Sequence, residues 1–212
     1  MGCDIHLMVE VKDRKTNQWT EYDVADGAVN YIGPNYDLFG ILANVRNGVG
    51  FAGIDTGDAF IPISSPRGVP KDASKNYLSF VEDWGTDGHS HSFLNLAELQ
   101  NFDWHGQKNK HRGFLSQENY QEYKSTGKMF GCATDIYGFY ILKISNKEMD
   151  AIIDNKVIPD TNFSYYTPIE WEESYYESTI DFVDNVIPSL EKIATDCGYT
   201  NEEVRIVFFF DN

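Results

Sequence analysis

Three cysteines, Cys3, Cys132 and Cys197, are too few and too scattered for a disulfide framework, and none stands in a C-x-x-C pair. Free thiols in a reducing compartment are expected. No run of about 18 apolar residues occurs, so no membrane-spanning helix is expected. The opening residues carry Asp4, His6 and Glu10 where a secretory leader would be basic and then apolar, and His6 stands where a myristoylation signal has a hydroxyl residue. The expected address is the cytosol. Basic residues are scarce, 17 Lys and Arg against 33 Asp and Glu, and the formal charge of −16 repels phosphate backbones and anionic lipid alike. Neither a nucleic-acid polymer nor a membrane is an expected partner.

The abundance lies in aromatics. With 13 Tyr and 14 Phe in a chain of 212 residues, the composition buries a core and lacks the polar bias of disordered chains. Residues 5–11 alternate, Ile5, Leu7, Val9 and Val11 against Asp4, His6, Met8 and Glu10, which predicts a half-buried strand. Trp19 to Asp23 follows as its hairpin partner. Asn35 is placed to cap a helix over 36–45, with Gly48 just past its end. Asn95, with Glu98 three residues on, forms a capping-box signature that starts a second helix. Strands over 137–144 and 163–171 flank a helix over 147–155, and connections this short predict antiparallel neighbours.

A long amphipathic helix is predicted over 176–194, kinked or divided at Pro188 and closed by Gly198. Val204 to Phe210 is apolar on both faces, as a central strand must be. The expectation is an α+β fold: one domain over 1–212, a mainly antiparallel sheet holding the first and last strands, and helices packed on it. No internal repeat or linker divides the chain.

The densest set of ligand-type residues is Asp87-Gly88-His89-Ser90-His91-Ser92, two imidazoles and a carboxylate just before the helix at Asn95. A helix N-terminus there would favour neutral, metal-binding imidazole and would equally favour a bound phosphate or carboxylate. Asp4 and His6, two apart on one strand face, could complete a divalent site, zinc or manganese, with His89 and His91. The alternative is a polar loop whose histidines and serines cap the helix. Three arginines precede Gly or Asn-Gly, namely Arg46, Arg67 and Arg112, and are candidates for gripping an anion against the acidic background. The first two lie in the long Gly/Pro-rich segment over 46–74, with Asp55 and Asp58; together with Ser90 and Ser92 they form the expected ligand-binding set.

Two short likenesses arise. Ile54-Asp55-Thr56-Gly57 resembles the catalytic loop of retroviral-type aspartic proteases, but Asp58 replaces the small residue expected next and no flap element follows. Asp87 with His89 and His91 resembles the opening of the polymerase-and-histidinol-phosphatase phosphoesterases, whose further ligands have only His6, His105 and His111 to match here.

A broader likeness spans nearly the full length. Met1-Gly2-Cys3-Asp4-Ile5-His6, Tyr36 to Phe39 through Arg46-Asn47, Phe51 to Asp58, Pro66-Arg67-Gly68, Asp87 to Ser92 and the closing Val204 to Asn212 together resemble a family of phage and prophage proteins without a settled activity. The resemblance implies a viral or prophage origin, for which counter-defence against host nucleotide signalling is one role. Three functions follow as expectations. The first is a sponge that binds a small anionic, nucleotide-like ligand. The second is a metal-dependent phosphoester hydrolase, and the third is an acidic protein that blocks a host protein. Whether identical chains associate stays open.

Overall fold

The structure is a computed structural model that describes residues 2–22, 33–134 and 136–211. It is α+β, and the antiparallel sheet does contain the first and last strands. The chain gathers into two compact units: Met1–Asn47, Ala59–Lys108 and Ser174–Asn212 form one, and Gly48–Asp58 with Asn109–Glu173 form the other.

The first unit is built on a four-stranded sheet in the order β2-β1-β7-β3, with β1 Ile5–Asp13, β2 Gln18–Glu21, β3 His89–Asn95 and β7 Val204–Phe210. The expected end of β2 at Asp23 lies outside the described residues. β1 runs antiparallel to β7 from Ile5 opposite Phe210 to Val11 opposite Val204, and β3 pairs with the other edge of β7. All seven residues of β7 are buried, because helices cover both faces of the sheet.

On one face, α1 (Tyr36–Ala43), α3 (Leu96–Asn101) and α7 (Ile187–Cys197) pack Leu38, Phe39, Leu99 and Leu190 against Ile206, Phe208 and Phe210. On the other, α2 (Lys75–Trp84) lays Tyr77, Phe80, Val81 and Trp84 over Met8, Val207 and Phe209. Asn35 and Asn95 cap their helices as their sequence positions predict, Asn95 with the full capping box.

Several expectations are corrected. α1 stops at Ala43, since Asn44 takes the left-handed conformation and closes the helix before Val45 or Gly48 is reached. The segment expected to be a helix kinked or divided at Pro188 is α6 (Tyr175–Ser178), a π-helical turn at Phe182–Val186 and then α7, so the α-helical pattern is interrupted directly before Pro188, and a further break at Thr179 was not foreseen.

The second unit holds a three-stranded sheet ordered β4-β6-β5, from β4 Lys108–Ser116, β5 Ile141–Lys143 and β6 Ser164–Ser174. With α4 (Gln117–Thr126) and α5 (Asn146–Ile153), it encloses Leu115, Tyr120, Met149 and Ile169. β5 and β6 run parallel, not antiparallel as their short connection suggested, because α5 between them serves as a crossover. No helix among the described residues is long and apolar enough to cross a membrane.

The sheet of the first unit is pinned by a buried ion pair. Glu10 and Arg205 are register partners on β1 and β7, 0% and 4% exposed, and Arg205 donates from Nε to Glu10 Oε2 at 2.8 Å. Glu10 Oε1 accepts the backbone N–H of Ser74, the residue that caps α2, at 2.7 Å. Arg205 also reaches Asp72 (3.0 Å) and stacks over Trp19 of β2 at 3.9 Å, while the Trp19 indole donates to Asp72. Burial acts to raise the Asp72 pKa, but the hydrogen bond and charge of Arg205 hold it below the usual value.

Removing one partner of such a pair leaves a buried charge, so Arg205→Leu is expected to cost about 3–5 kcal/mol in urea unfolding, and Glu10→Leu with Arg205→Leu much less than the single change.

Candidate functional site

Three strand ends meet at one edge of the four-stranded sheet: the start of β1, the end of β7 and the start of β3. The first two are tied together through Asp211. Its N–H donates to Asp4 O (3.1 Å), its Oδ1 accepts the Asp4 N–H (3.0 Å), and its Oδ2 accepts His6 Nε2 (3.1 Å). Asp4 and His6 thus share one carboxylate partner. The carboxylate fixes the orientation of the His6 ring. The His6 ring itself is held between Trp84 (4.1 Å), Phe209 (4.9 Å) and Phe80 (5.8 Å).

The histidine run is not the loop at a helix terminus that its sequence position suggested. It forms the first half of β3, and at about 3.3 Å per residue His91 lies about 13 Å along the strand from the Asn95 cap, beyond a helix-terminal field that fades within a turn. Ser90 adopts a left-handed φ of 52°, and the register of β3 against β7 shifts between His89 and Ser92. This bulge breaks the strand's alternation. His89 stacks on Phe210, on the face covered by α1, whereas His91 lies against Phe209, on the face covered by α2.

Asp4, His6, His89 and His91 are therefore not gathered into one ligand set. Among the described residues no group of three or more His, Cys, Asp or Glu is placed to hold a metal ion. Two ring nitrogens, His89 Nε2 and His91 Nδ1, are instead buried without a hydrogen-bond partner. Burial lowers the His91 pKa; the carbonyl of Gly88 accepting from the ring opposes this, and nearby His89 adds to the lowering. His89 Nδ1 is paired with Ser90 Oγ at 2.9 Å.

Arg46 belongs to the same strand end. Its guanidinium lies 5.8 Å from the centre of the Tyr36 ring, and the Tyr36 hydroxyl accepts the backbone N–H of Cys3. Burial pushes the Cys3 thiol up, and the hydrogen bond and charge of Arg46 only partly offset this, so Cys3 is a protonated core residue and not a nucleophile.

Arg67 is placed differently from the expectation that it holds phosphate. Its backbone runs beside β3, with Arg67 N donating to the buried Ser92 Oγ and Gly68 N to His91 O, but its side chain turns away to a bidentate pair with Glu98 and stacks on Phe93. Ser92 is fully enclosed and serves that turn. Asp55 and Asp58 lie in the second unit, where both pair with Arg112, which Glu170 also contacts, so the cluster keeps a net negative charge unsuited to an anion. Within that Asp-Thr-Gly stretch, Gly57 passes so close to β4 that any side chain there would collide with the Lys110 carbonyl.

Asp211, Tyr36, Trp84 and the two aromatics at the end of β7, Phe209 and Phe210, complete the site, and Tyr36, Trp84, Phe209 and Phe210 were not among the site residues that the sequence suggested. Comparison with family models, curated proteins and solved structures finds no match.

The folded chain holds the His91 pKa below its ordinary value, so the unfolded chain binds more protons just below about pH 6.5, and stability is full above that pH and declines beneath it. On acidification from about pH 7.5 to about pH 5.5, the melting temperature of the native protein is expected to fall further than that of His91→Gln.

Proposed function

We propose that this strand end binds a small anionic, nucleotide-like ligand. The observation that carries the reading is that two imidazole nitrogens at this strand end are buried without partners, His91 Nδ1 beside Phe209 on one face of the sheet and His89 Nε2 beside Phe210 on the other. An orphaned buried polar atom costs about 1–3 kcal/mol, and a strained bulge residue adds to that, a pattern typical of sites completed by a ligand. Arg46, just past the end of α1, supplies positive charge, and the half-buried Trp84 offers a flat surface for a base. The net charge of −16 favours small anions caught locally over polymers that meet the whole field.

In this reading the protein is a phage or prophage product working in the host cytosol as a sponge for a nucleotide messenger. A second reading, hydrolysis, draws on the His6–Asp211 pair, in which a carboxylate orients an imidazole as in many general bases.

The purified protein is to be incubated with a panel of cyclic and linear nucleotides, with and without zinc or manganese, heat-denatured, and the supernatant assayed. Intact nucleotide released on heating is the expected result, with retention falling at least tenfold in His91→Ala and in Arg46→Ala, whereas Arg67→Ala retains it. Consumption of nucleotide that is lost in His6→Gln would replace binding by hydrolysis. Absence of both retention and consumption overturns the proposal.

A further inference from the structure

The second unit carries an apolar surface that its own small core does not use. Phe139 is 99% exposed and Ile158 94%, with Tyr137 and Tyr140 each at 69%. These four side chains leave about 700 Å² open, close to the about 800 Å² that each partner gives to a standard interface. They flank β5, the outermost strand of its sheet: Tyr140 directly precedes it, and Ile158 follows Val157, which lines one cleft with Tyr165, the register partner of Leu142.

Among the described residues no strand pairs with the free edge of β5. Tyr140 O accepts from Ser164 N and Ile144 N donates to Tyr166 O, so alternate residues turn their backbone groups toward β6. Ile141 and Lys143 face the other way. Gly138 O takes the Ile141 N–H, which leaves the carbonyl of Ile141 and both backbone groups of Lys143 on the open edge.

This edge is complementary to itself. When two β5 strands run antiparallel about a twofold axis at Leu142, Ile141 of each copy lies opposite Lys143 of the other. Each Lys143 N–H then donates to the Ile141 carbonyl across the axis, so the unused donor and acceptor satisfy each other twice. Leu142 meets its own copy at the close, non-hydrogen-bonded spacing.

The charges at the edge, Lys143, Lys147 and Glu148, are mixed in sign and so do not select a strongly basic or acidic partner. In the twofold register no two Lys143 side chains are opposed, and each ammonium stays over its own Phe114 ring at 4.5 Å. Glu148 is engaged in the capping box with Ser145. The formal charge of −16 repels two copies at a distance, but it is screened over about 8 Å in physiological salt. Only seven basic and twelve acidic residues belong to the second unit, so most of the surplus lies on the first.

We infer that two copies of this chain associate through β5, edge to edge about Leu142, with the apolar side chains around Phe139 and Ile158 closing over the junction.

The test is sedimentation equilibrium of the full chain from about 1 to about 100 µM. The expected result is a reversible monomer–dimer equilibrium with no larger species, equal or tighter when sodium chloride is raised from about 0.05 to about 0.5 M. Phe139→Ser combined with Ile158→Ser, both at exposed positions, is expected to weaken the dimer at least tenfold. Lys143→Pro, which removes the edge N–H, is expected to weaken it similarly, whereas Lys143→Ala keeps the N–H and retains the dimer. Circular dichroism and the melting temperature verify that each variant is folded, and should Lys143→Pro fail to fold, the double substitution decides alone. A monomer at every concentration overturns the proposal, as does a dimer that salt dissociates or that the double substitution leaves intact. Equal loss in Lys143→Ala and a folded Lys143→Pro also overturns it, since the contact would then run through the side chain and not the strand edge.

Discussion

The Arg205–Glu10 pair is the constraint around which the first unit is arranged. Its charges sit in the middle of a sheet covered on both faces, where an ion is tolerated only if every lone pair and proton is used. Satisfying them draws in Asp72, the start of α2 through Ser74 N, and Trp19 from the edge strand. One pair thus sets the register of β1 on β7, the place where α2 begins and the side of the sheet on which the edge indole lies. Apolar packing alone would leave the register of so uniformly hydrophobic a strand as β7 poorly determined, because sliding Phe past Phe costs little. The pair makes a slipped register expensive.

At the far end of the same strands the requirements are reversed. There the backbone is tied by Asp4 and Asp211, yet the β3 bulge leaves two imidazole nitrogens buried without partners. The contrast between a fully satisfied polar network and an incomplete one within a single sheet is what marks the second as the candidate site. Both contain a carboxylate and a cationic or ionisable partner, and residue type alone does not distinguish them.

The sequence made legible those elements whose pattern has a single cause. Ile5 to Val11, Val204 to Phe210 and the Asn95 capping box are of this kind, and strand or helix follows from them directly. It misled where polar residues take inward positions. In β4 the buried places are held by Asn109, His111, Gly113 and Leu115, so the alternation is real but invisible to a hydrophobicity reading. Glu10 was placed on a solvated face because charge normally is, and only the distant Arg205 makes its burial affordable. α2 follows a 3–4 spacing of Tyr77, Phe80, Val81 and Trp84, a legible signal hidden inside a segment dominated by its preceding Gly and Pro. The candidate site was half visible. Asp4, His6 and the histidine run mark the right strand ends, but the bulge at Ser90 that sends His89 and His91 to opposite faces is a property of pairing, and no spacing rule reveals it.

The position of β7 has a consequence for how the chain reaches its fold. This strand is the centre of the first unit's sheet, and every other element precedes it in sequence. During synthesis β1 and β3 emerge early, each with an apolar flank and an unfilled row of backbone groups where β7 will lie. Both must wait for the strand that joins them, and their pairing closes long loops before it returns any burial. The nascent chain therefore passes through an interval with a cleft in place of its central strand, open to misplaced strands or to a chaperone. The sheet of the first unit closes only once Val204 to Phe210 is in place, since that strand buries seven consecutive residues and brings Arg205 to a Glu10 made long before it.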